Sequence, residues 1–157
     1  MPRFAVVAAR VSPLVSLAVA ALTLVGQASA QQPRTIQPQL TQLFSSDSLE
    51  MTEADRDLVA HNCTDAPERH IVITHGTDTM VETARTLAAK VAGKTVVLTG
   101  AMIPIAFGSS DGLFNLGGAI TAAQVLPPGV YITMNGRVFP WDRVRKNRST
   151  GVFEEVE

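Results

Sequence analysis

Short apolar runs alternate with helical patterns along the chain from residue 70 onward. Residues 71–74, 95–100 and 130–134 form continuous apolar runs rich in β-branched residues, which favour strands that are covered on both faces. Between them, "MVETARTLAAKVA" and "DGLFNLGGAITAAQVL" space their apolar residues as a helix would. The pattern therefore predicts the order β-α-β-α-β.

Upstream of the first predicted strand, "LTQLFSSDSLEMTEADRDLVAHN" predicts a short extended segment, a polar loop and a helix that begins near Thr52. Thr52 and Asp55 form a capping-box pattern there.

The spacing of apolar residues also predicts which faces of the two later helices are buried. The predicted apolar faces comprise Val81, Ala84, Ala88 and Val91 in the next helix, and Leu113, Leu116, Ile120 and Ala123 in the last.

Strand, helix and strand in short succession imply parallel pairing with right-handed crossovers. The predicted fold class is therefore α/β, a three-layer sandwich around a mostly parallel sheet. Ligands of such sheets bind beyond the carboxyl ends of the strands, at a topological switch point. Residues 75–78, 100–102 and 135–136 follow the three predicted strands, so we expect these loops to open on one crevice.

The first thirty residues have the pattern of a secretory signal peptide. Arg3 and Arg10 precede an apolar run over residues 11–25, and a small-x-small sequence ends at Ala30. The run is shorter than the roughly 20 residues of a membrane-spanning helix. We expect a leader at 1–30, a polar linker at 31–42 and the α/β domain at 43–157. Cleavage after Ala30 would give an exported protein, periplasmic or secreted; a buried N-terminal helix or an uncleaved anchor is the alternative.

Composition and charge narrow the ligand class. Of the 157 residues, 46% are hydrophobic and 17% charged, as in a single globular domain. Thirteen basic and fourteen acidic residues leave a net charge of −1 without a long single-sign block, so no nucleic-acid footprint is present. Cys63 is the only cysteine, and no Cys/His cluster has metal-ligand spacing. A small-molecule ligand is the expectation.

The stretch "HGTDT" after the first predicted strand has two interpretations. As a strand-to-helix turn, Gly76 supplies backbone freedom and Thr79 with Glu82 forms a capping box. That interpretation leaves Thr77 and Asp78 unused. A hydroxyl and a carboxylate at the top of a parallel sheet, beside a helix N-terminus, also suit a site for a polar substrate. Spacing alone does not decide between them.

Other polar candidates have simple structural explanations. His75 is either a base or a side chain packed under the turn, and Asn135-Gly136 is by default a type I′ hairpin turn. Ser110 and Asp111 most simply cap the following helix. A basic run typically lies on a solvated face, and here it comprises Arg143, Arg145, Lys146 and Arg148.

Four motifs in this order and spacing resemble the bacterial-type L-asparaginase/glutaminase family: "ITHGTDTMVETA", "LTGAMIP", "DGLFNL" and "MNGRVF…DRVRKN". The resemblance runs from about residue 43 to 146. It implies an asparaginase N-terminal-like domain and hydrolysis of L-asparagine to L-aspartate and ammonia, without a metal or nucleotide cofactor. Family members assemble as dimers or larger, so the resemblance also implies a homo-oligomer.

The same resemblance assigns roles to five residues. It places the family's second threonine-lysine-aspartate triad on Thr77, Asp78 and Lys146. Asp78 would also bind the α-amino group of the substrate. Ser48 matches the serine that binds the α-carboxylate, and Ala101 matches the residue whose backbone carbonyl meets the side-chain amide.

The sequence departs from the family at several points. The family's first strand ends in a "TGGTI"-type motif that carries the threonine generally taken as the nucleophile, and this motif does not occur here. The family's C-terminal domain and its mobile tyrosine have no counterpart either, and Ile103 stands where the family has a loop arginine. We therefore expect the sheet to be incomplete at its first strand, and losing a central strand would expose unpaired backbone edges. Three outcomes stay open: the leader refolds into that place, a partner covers the gap, or the chain is a remnant.

Two further functions compete with a hydrolase. A degenerate paralogue or truncated chain would retain amino-acid binding through Ser48 and Asp78 without turnover. An unrelated flavodoxin-like module would bind flavin, which the family motifs disfavour.

Overall fold

A six-stranded sheet forms the centre of the molecule. The structure is a computed structural model that describes residues 4–9, 39–44, 48–104 and 108–156. The strand order is β2-β1-β3-β4-β5-β6, and every neighbouring pair is parallel except β5 and β6. The strands are β1 (Phe4–Ala9), β2 (Gln39–Phe44), β3 (His70–Thr74), β4 (Thr95–Thr99), β5 (Gly129–Met134) and β6 (Arg137–Pro140).

Helices cover the sheet, and a small hairpin lies beside it. The helices are α1 (Glu53–Asp65), α2 (Met80–Lys90) and α3 (Gly112–Val125), with 3-10 turns at Ser48–Glu50 and Trp141–Arg143. The hairpin consists of two short antiparallel strands, β7 (Val144–Lys146) and β8 (Phe153–Glu155).

Side chains that alternate along the strands divide the core between the two faces of the sheet. Ile71 and Ile73 point into the larger cluster, which also contains Val59 of α1 and Leu87 of α2. Val72, between the two isoleucines, points into the smaller cluster under α3. Helices therefore lie on both faces, and the predicted three-layer α/β sandwich with a mostly parallel sheet is confirmed.

Both ends of α1 are held by side chains. The predicted capping box is present: the Thr52 hydroxyl accepts from the Asp55 N–H, and the Asp55 carboxylate accepts from the Thr52 N–H. Lys94 donates to three carbonyls at the opposite end of the helix, those of Cys63, Thr64 and Ala66. A cation at a helix C-terminus pairs with its negative end, so Lys94 joins α1 to the start of β4.

Most of the predicted helix faces lie against the core. In α2, Ala84 is buried, and the other predicted residues, Val81, Ala88 and Val91, are half-buried and pack against the larger cluster. The buried face of α2 also includes Met80, Thr83 and Leu87. In α3, Ala123 is buried and Leu116 and Ile120 pack against the smaller cluster, but the predicted Leu113 is 69% exposed. The buried Asn115 was missed, because apolar spacing ignores an asparagine that bonds inward to neighbouring loops.

The leader contributes a central strand, which was not expected. Phe4–Ala9 forms β1 between β2 and β3, paired in parallel with both. The expectation that the sheet lacks a strand at this place is therefore wrong, and of the three outcomes left open the first is found. The predicted linker also ends earlier than expected, because β2 begins at Gln39. The apolar sequence "FAVVAA" suits a strand with neighbours on both sides.

We expect the fold to depend on β1. Residues 31–157 alone should lose cooperative thermal unfolding, because β2 would lose its only described neighbour and β3 would become an open edge. Val7→Pro in the full chain should also make thermal unfolding less cooperative, since proline cannot donate a backbone hydrogen bond in a strand paired on both sides. Circular dichroism during heating measures both. If residues 31–157 unfold as cooperatively as residues 1–157, with a midpoint temperature within a few degrees, β1 is dispensable.

Candidate active site

One amine joins the turn after β3 to the hairpin β7–β8. Lys146 Nζ donates to Thr77 Oγ1 at 2.8 Å and to Asp78 Oδ1 at 2.7 Å. The Lys146 side chain is 11% exposed, whereas that of Asp78 is 40% exposed. The structure thus brings together the three residues that the sequence placed in a triad, with the lysine covered and the carboxylate open to solvent on one side.

The strand period explains why Lys146 alone of the basic run reaches the site. Val144 is buried, Arg145 is exposed and pairs with Glu154 of β8, and Lys146 again points inward. The antiparallel pairing of Lys146 with Phe153, which is buried, fixes the height of the lysine above the sheet. The prediction that the basic run lies on a solvated face is therefore correct for Arg145 but wrong for Lys146.

Ser48 lies against the turn after β3. A Cβ added at Gly76 would fall 2.5 Å from both Cβ and Oγ of Ser48, so only glycine permits this approach. The Thr79 hydroxyl donates to the Ser48 carbonyl at 2.7 Å. Thr79 makes no side-chain cap of α2, and the capping box predicted with Glu82 does not form. Thr79 holds the Ser48 segment in place instead.

The turn after β4 closes the other side of Thr77. A Cβ at Gly100 would collide with the His75 carbonyl oxygen and contact the Thr77 methyl at 3.4 Å. Ala101, the predicted ligand of the substrate amide, follows directly and is partly exposed. The five predicted site residues therefore gather at the carboxyl ends of β3 and β4, beside the point where the strand order reverses between β1 and β3. Their roles towards a substrate stay predictions.

His75 is packed under the turn, the second of the two interpretations given for it. It is 2% exposed, Nδ1 lies 2.6 Å from the Gly76 carbonyl oxygen, and Nε2 lies 2.8 Å from the Thr83 hydroxyl. Because a carbonyl only accepts, Nδ1 carries the proton and Nε2 accepts from Thr83. Burial lowers the pKa of His75 to about 4, against the hydrogen bond to Gly76, which raises it; the nearby charge of Arg56 lowers it further. His75 is thus a neutral structural residue.

Among the remaining polar candidates, the predicted roles of Asn135-Gly136 and Ser110 are confirmed and that of Asp111 is wrong. Asn135 and Gly136 have φ of 51° and 77° and connect β5 to β6, as a type I′ turn requires. Ser110 does cap α3, since its hydroxyl accepts from the Gly112 N–H, but Asp111 makes no side-chain cap. The Asp111 carboxylate instead accepts from the N–H groups of Met102 and Ile103.

Asn115 is a polar contact that the sequence prediction missed. Its amide bonds to Gly100, Asp111 and Asn135. The signal was present, because an asparagine stood at helical spacing with Ala119 and Ala122, inside the face that turned out to be buried.

The described residues contain neither a metal-binding cluster nor a membrane-spanning helix. No group of three or more His, Cys, Asp or Glu side chains there could hold a metal ion. No helix in the described ranges is long and apolar enough to cross a membrane.

The family model described as "Asparaginase, N-terminal" matches residues 7–154. The chain belongs to the asparaginase family. The match begins inside β1 and ends inside β8, so it covers both the central strand and the hairpin that carries Lys146.

Named relatives agree with this assignment over part of their length. The chain is 40% identical to the L-asparaginase of Thermococcus kodakarensis over 84 residues, which are 52% of this chain and 26% of that protein. It is 47% identical to L-asparaginase 2 of Escherichia coli over 85 residues, 52% of this chain and 24% of that protein. A human 60 kDa lysophospholipase is 37% identical over 105 residues, 64% of this chain and 18% of its own. The chain thus matches between 18% and 26% of the length of these relatives.

A solved structure shares the fold. The thermostable L-asparaginase from Thermococcus kodakarensis superposes with a TM-score of 0.69 and 32% sequence identity. The similarity covers 74% of this chain and 37% of that one. The resemblance drawn from the four sequence motifs is therefore confirmed at the level of family and fold.

The neutral state of His75 makes stability depend on pH. The unfolded chain binds a proton on this side chain near pH 6.5, whereas the folded chain does so only near pH 4. Stability from this residue is complete above the unfolded pKa and is lost as the pH falls towards 4. We expect this loss to reach about 3 kcal/mol in the unfolding free energy. Urea unfolding between pH 7 and 4 measures it.

His75→Gln should remove that part of the pH slope. His61→Gln, in an exposed position on α1, serves as the matched control and should keep the wild-type slope. A His75→Gln variant with the wild-type slope would mean that the histidine is not held neutral.

Proposed function

We propose that this protein is an asparaginase-like amidohydrolase that converts L-asparagine to L-aspartate and ammonia. The observation that carries the proposal is the contact of Lys146 Nζ with both Thr77 Oγ1 and Asp78 Oδ1. Membership of the asparaginase family supports it.

The amine and the hydroxyl form a unit suited to acyl transfer. A threonine hydroxyl is a weak nucleophile, and an amine 2.8 Å from its oxygen either relays its proton or stabilises the alkoxide that forms. Asp78 fixes the amine in this position through its own contact. In the proposed reaction an oxygen nucleophile, the Thr77 hydroxyl or a water beside it, attacks the side-chain amide carbon. The proton lost by the nucleophile passes to the amide nitrogen, and the C–N bond breaks with ammonia as the leaving group. Where an acyl-enzyme has formed, water hydrolyses it to aspartate.

Three groups at the crevice have the chemistry to bind an amino-acid amide. Asp78 Oδ2 has no hydrogen-bond partner among the described residues, and its negative charge suits the substrate's α-amino group. The Ser48 hydroxyl likewise bonds to no other described residue and suits the α-carboxylate. The Ala101 carbonyl would accept from the side-chain amide. These are the roles that the resemblance assigned.

A non-catalytic binder is the competing proposal. The observation that favours it is the missing "TGGTI" motif, since the residues after Ala9 provide no threonine before Thr23. The groups that would hold the substrate do not depend on that motif. Such a protein would bind L-asparagine without releasing ammonia.

Export and self-association are further proposals. A leader cleaved after Ala30 would remove β1 from the protein. A molecule exported to the periplasm or secreted by that route would therefore lack a strand of the sheet described here. A homo-oligomer, dimer or larger, is expected from the family resemblance, and sedimentation of the full chain tests it.

The first experiment is ammonia release from L-asparagine by residues 1–157 and by Lys146→Met. We expect the variant to lose a factor of about 10² to 10⁴ in kcat, because the group that stabilises charge on the nucleophile is removed. Arg145→Met is the matched control, since Arg145 is the neighbouring cation on β7 but faces solvent and Glu154. It should retain the wild-type rate.

The outcomes separate the two proposals. A folded wild-type chain that binds L-asparagine in calorimetry but releases no ammonia would show that the protein is a non-catalytic binder. Equal turnover by wild type and Lys146→Met would contradict the role given to Lys146.

A further inference from the structure

Asn115 connects the two turns that follow β4 and β5. Its side-chain N–H₂ donates to the Gly100 carbonyl at 2.9 Å and to Asp111 Oδ2 at 2.8 Å. Its side-chain oxygen accepts from the Asn135 N–H at 2.8 Å. Asn115 is 1% exposed, so these bonds lie in a dry environment where losing one is costly.

Asp111 holds the other half of the same turn. Its carboxylate accepts from the Met102 N–H at 2.9 Å and from the Ile103 N–H at 3.1 Å. Partial burial raises the pKa of Asp111, but the backbone N–H groups of Ile103 and Met102 and the amide of Asn115 together lower it. The side chain is therefore an ionised acceptor at neutral pH, and hydrogen bonds to a charged acceptor are the stronger kind.

These bonds fix the peptide units on both sides of Ala101. The Ala101 carbonyl and the Met102 N–H belong to one planar trans peptide, so they point in opposite directions. Because Asp111 binds that N–H, the Ala101 carbonyl is directed away from the start of α3. Asn115 fixes the preceding peptide through the Gly100 carbonyl. Rotation of either peptide would break a bond to a buried or charged partner.

We propose that Asp111 and Asn115 are positioning residues that orient the Ala101 carbonyl towards the side-chain amide of the substrate. The inference rests on the proposed function, in which that carbonyl accepts from the amide. Thr77 lies beside the same turn, since a Cβ added at Gly100 would fall 3.4 Å from its methyl group. The pair thereby sets the position of the amide relative to the hydroxyl, although neither residue touches the substrate.

Capping of α3 does not account for the pair. The Asp111 side chain makes no cap bond, and the Ser110 hydroxyl already accepts from the Gly112 N–H. The bonds of Asp111 and Asn115 run to the turns instead of the helix, apart from the one between them. Their arrangement therefore serves the loops that border the crevice.

The test combines substrate binding with amide hydrogen exchange in the full chain. The variants are Asn115→Ala and the isosteric Asp111→Asn, which keeps one acceptor oxygen. Gln124→Ala is the control, because Gln124 is an exposed residue on the same helix whose side-chain amide donates to the Ile120 carbonyl. Calorimetry compares L-asparagine with L-2-aminobutyrate, which has the same α-groups but no side-chain amide.

We expect Asn115→Ala to weaken L-asparagine binding about tenfold, the effect of one lost hydrogen bond, and to leave L-2-aminobutyrate within twofold of wild type. Asp111→Asn should weaken L-asparagine binding by a smaller factor, and it too should leave L-2-aminobutyrate binding within twofold of wild type. Exchange of the Met102 N–H, followed by NMR, should become about tenfold faster in both variants and remain unchanged in Gln124→Ala. Thermal unfolding confirms that each variant is folded.

Failure of the inference and failure of the proposed function give different results. The inference alone is overturned if the wild-type protein binds L-asparagine but Asn115→Ala weakens binding of both amino acids equally, or of neither. Met102 exchange that is unchanged in both variants also overturns it, whatever the binding result. A folded wild-type chain that binds neither amino acid overturns the proposed function, and with it the orientation of Ala101 towards a substrate.

Discussion

The contact between Lys146 and the turn after β3 is the interaction on which the site depends. It joins residues 69 positions apart in the chain and brings a cation from the small hairpin to the main sheet. An amine that is 11% exposed needs partners for its charge, and Thr77 and Asp78 provide them. The same two bonds that satisfy the buried amine also place it against a hydroxyl. Stability and chemistry therefore depend on one geometry.

Close backbone approach is the second constraint on the crevice. Gly76 permits close approach of the Ser48 side chain, and Gly100 permits close approach of the His75 carbonyl, so both pack directly against glycine backbone. Beneath them, His75 fills the space as a neutral ring bonded to Gly76 and Thr83. Around them, Thr79 fixes the Ser48 segment. The polar groups of the crevice are thus held by residues that do not themselves face it.

Prediction from the sequence was accurate where the signal was local. The runs at β3, β4 and β5, the capping box of α1 and the hairpin turn at Asn135 all formed, because each depends on neighbours within a few residues. Motif order also gave the family and the five candidate residues. The helix faces were less well predicted, since Leu113 lies outside and Asn115 inside. Apolar periodicity counts side chains by hydrophobicity and cannot register a buried asparagine whose partners lie in other loops.

Tertiary structure decided the roles of several residues that the sequence could not distinguish. Thr79 and Asp111 both have the pattern of helix caps, yet each bonds instead to a segment brought close only by the folded sheet. The leader shows the same limit, because an apolar run with basic residues before it suits export as well as a central strand. The sequence by itself determined three strands, β3, β4 and β5, their parallel pairing and the residue types at their carboxyl ends. Only the packing of those ends determined which side chain meets which, because hydrogen bonds between distant segments depend on the spacing that the folded sheet gives them.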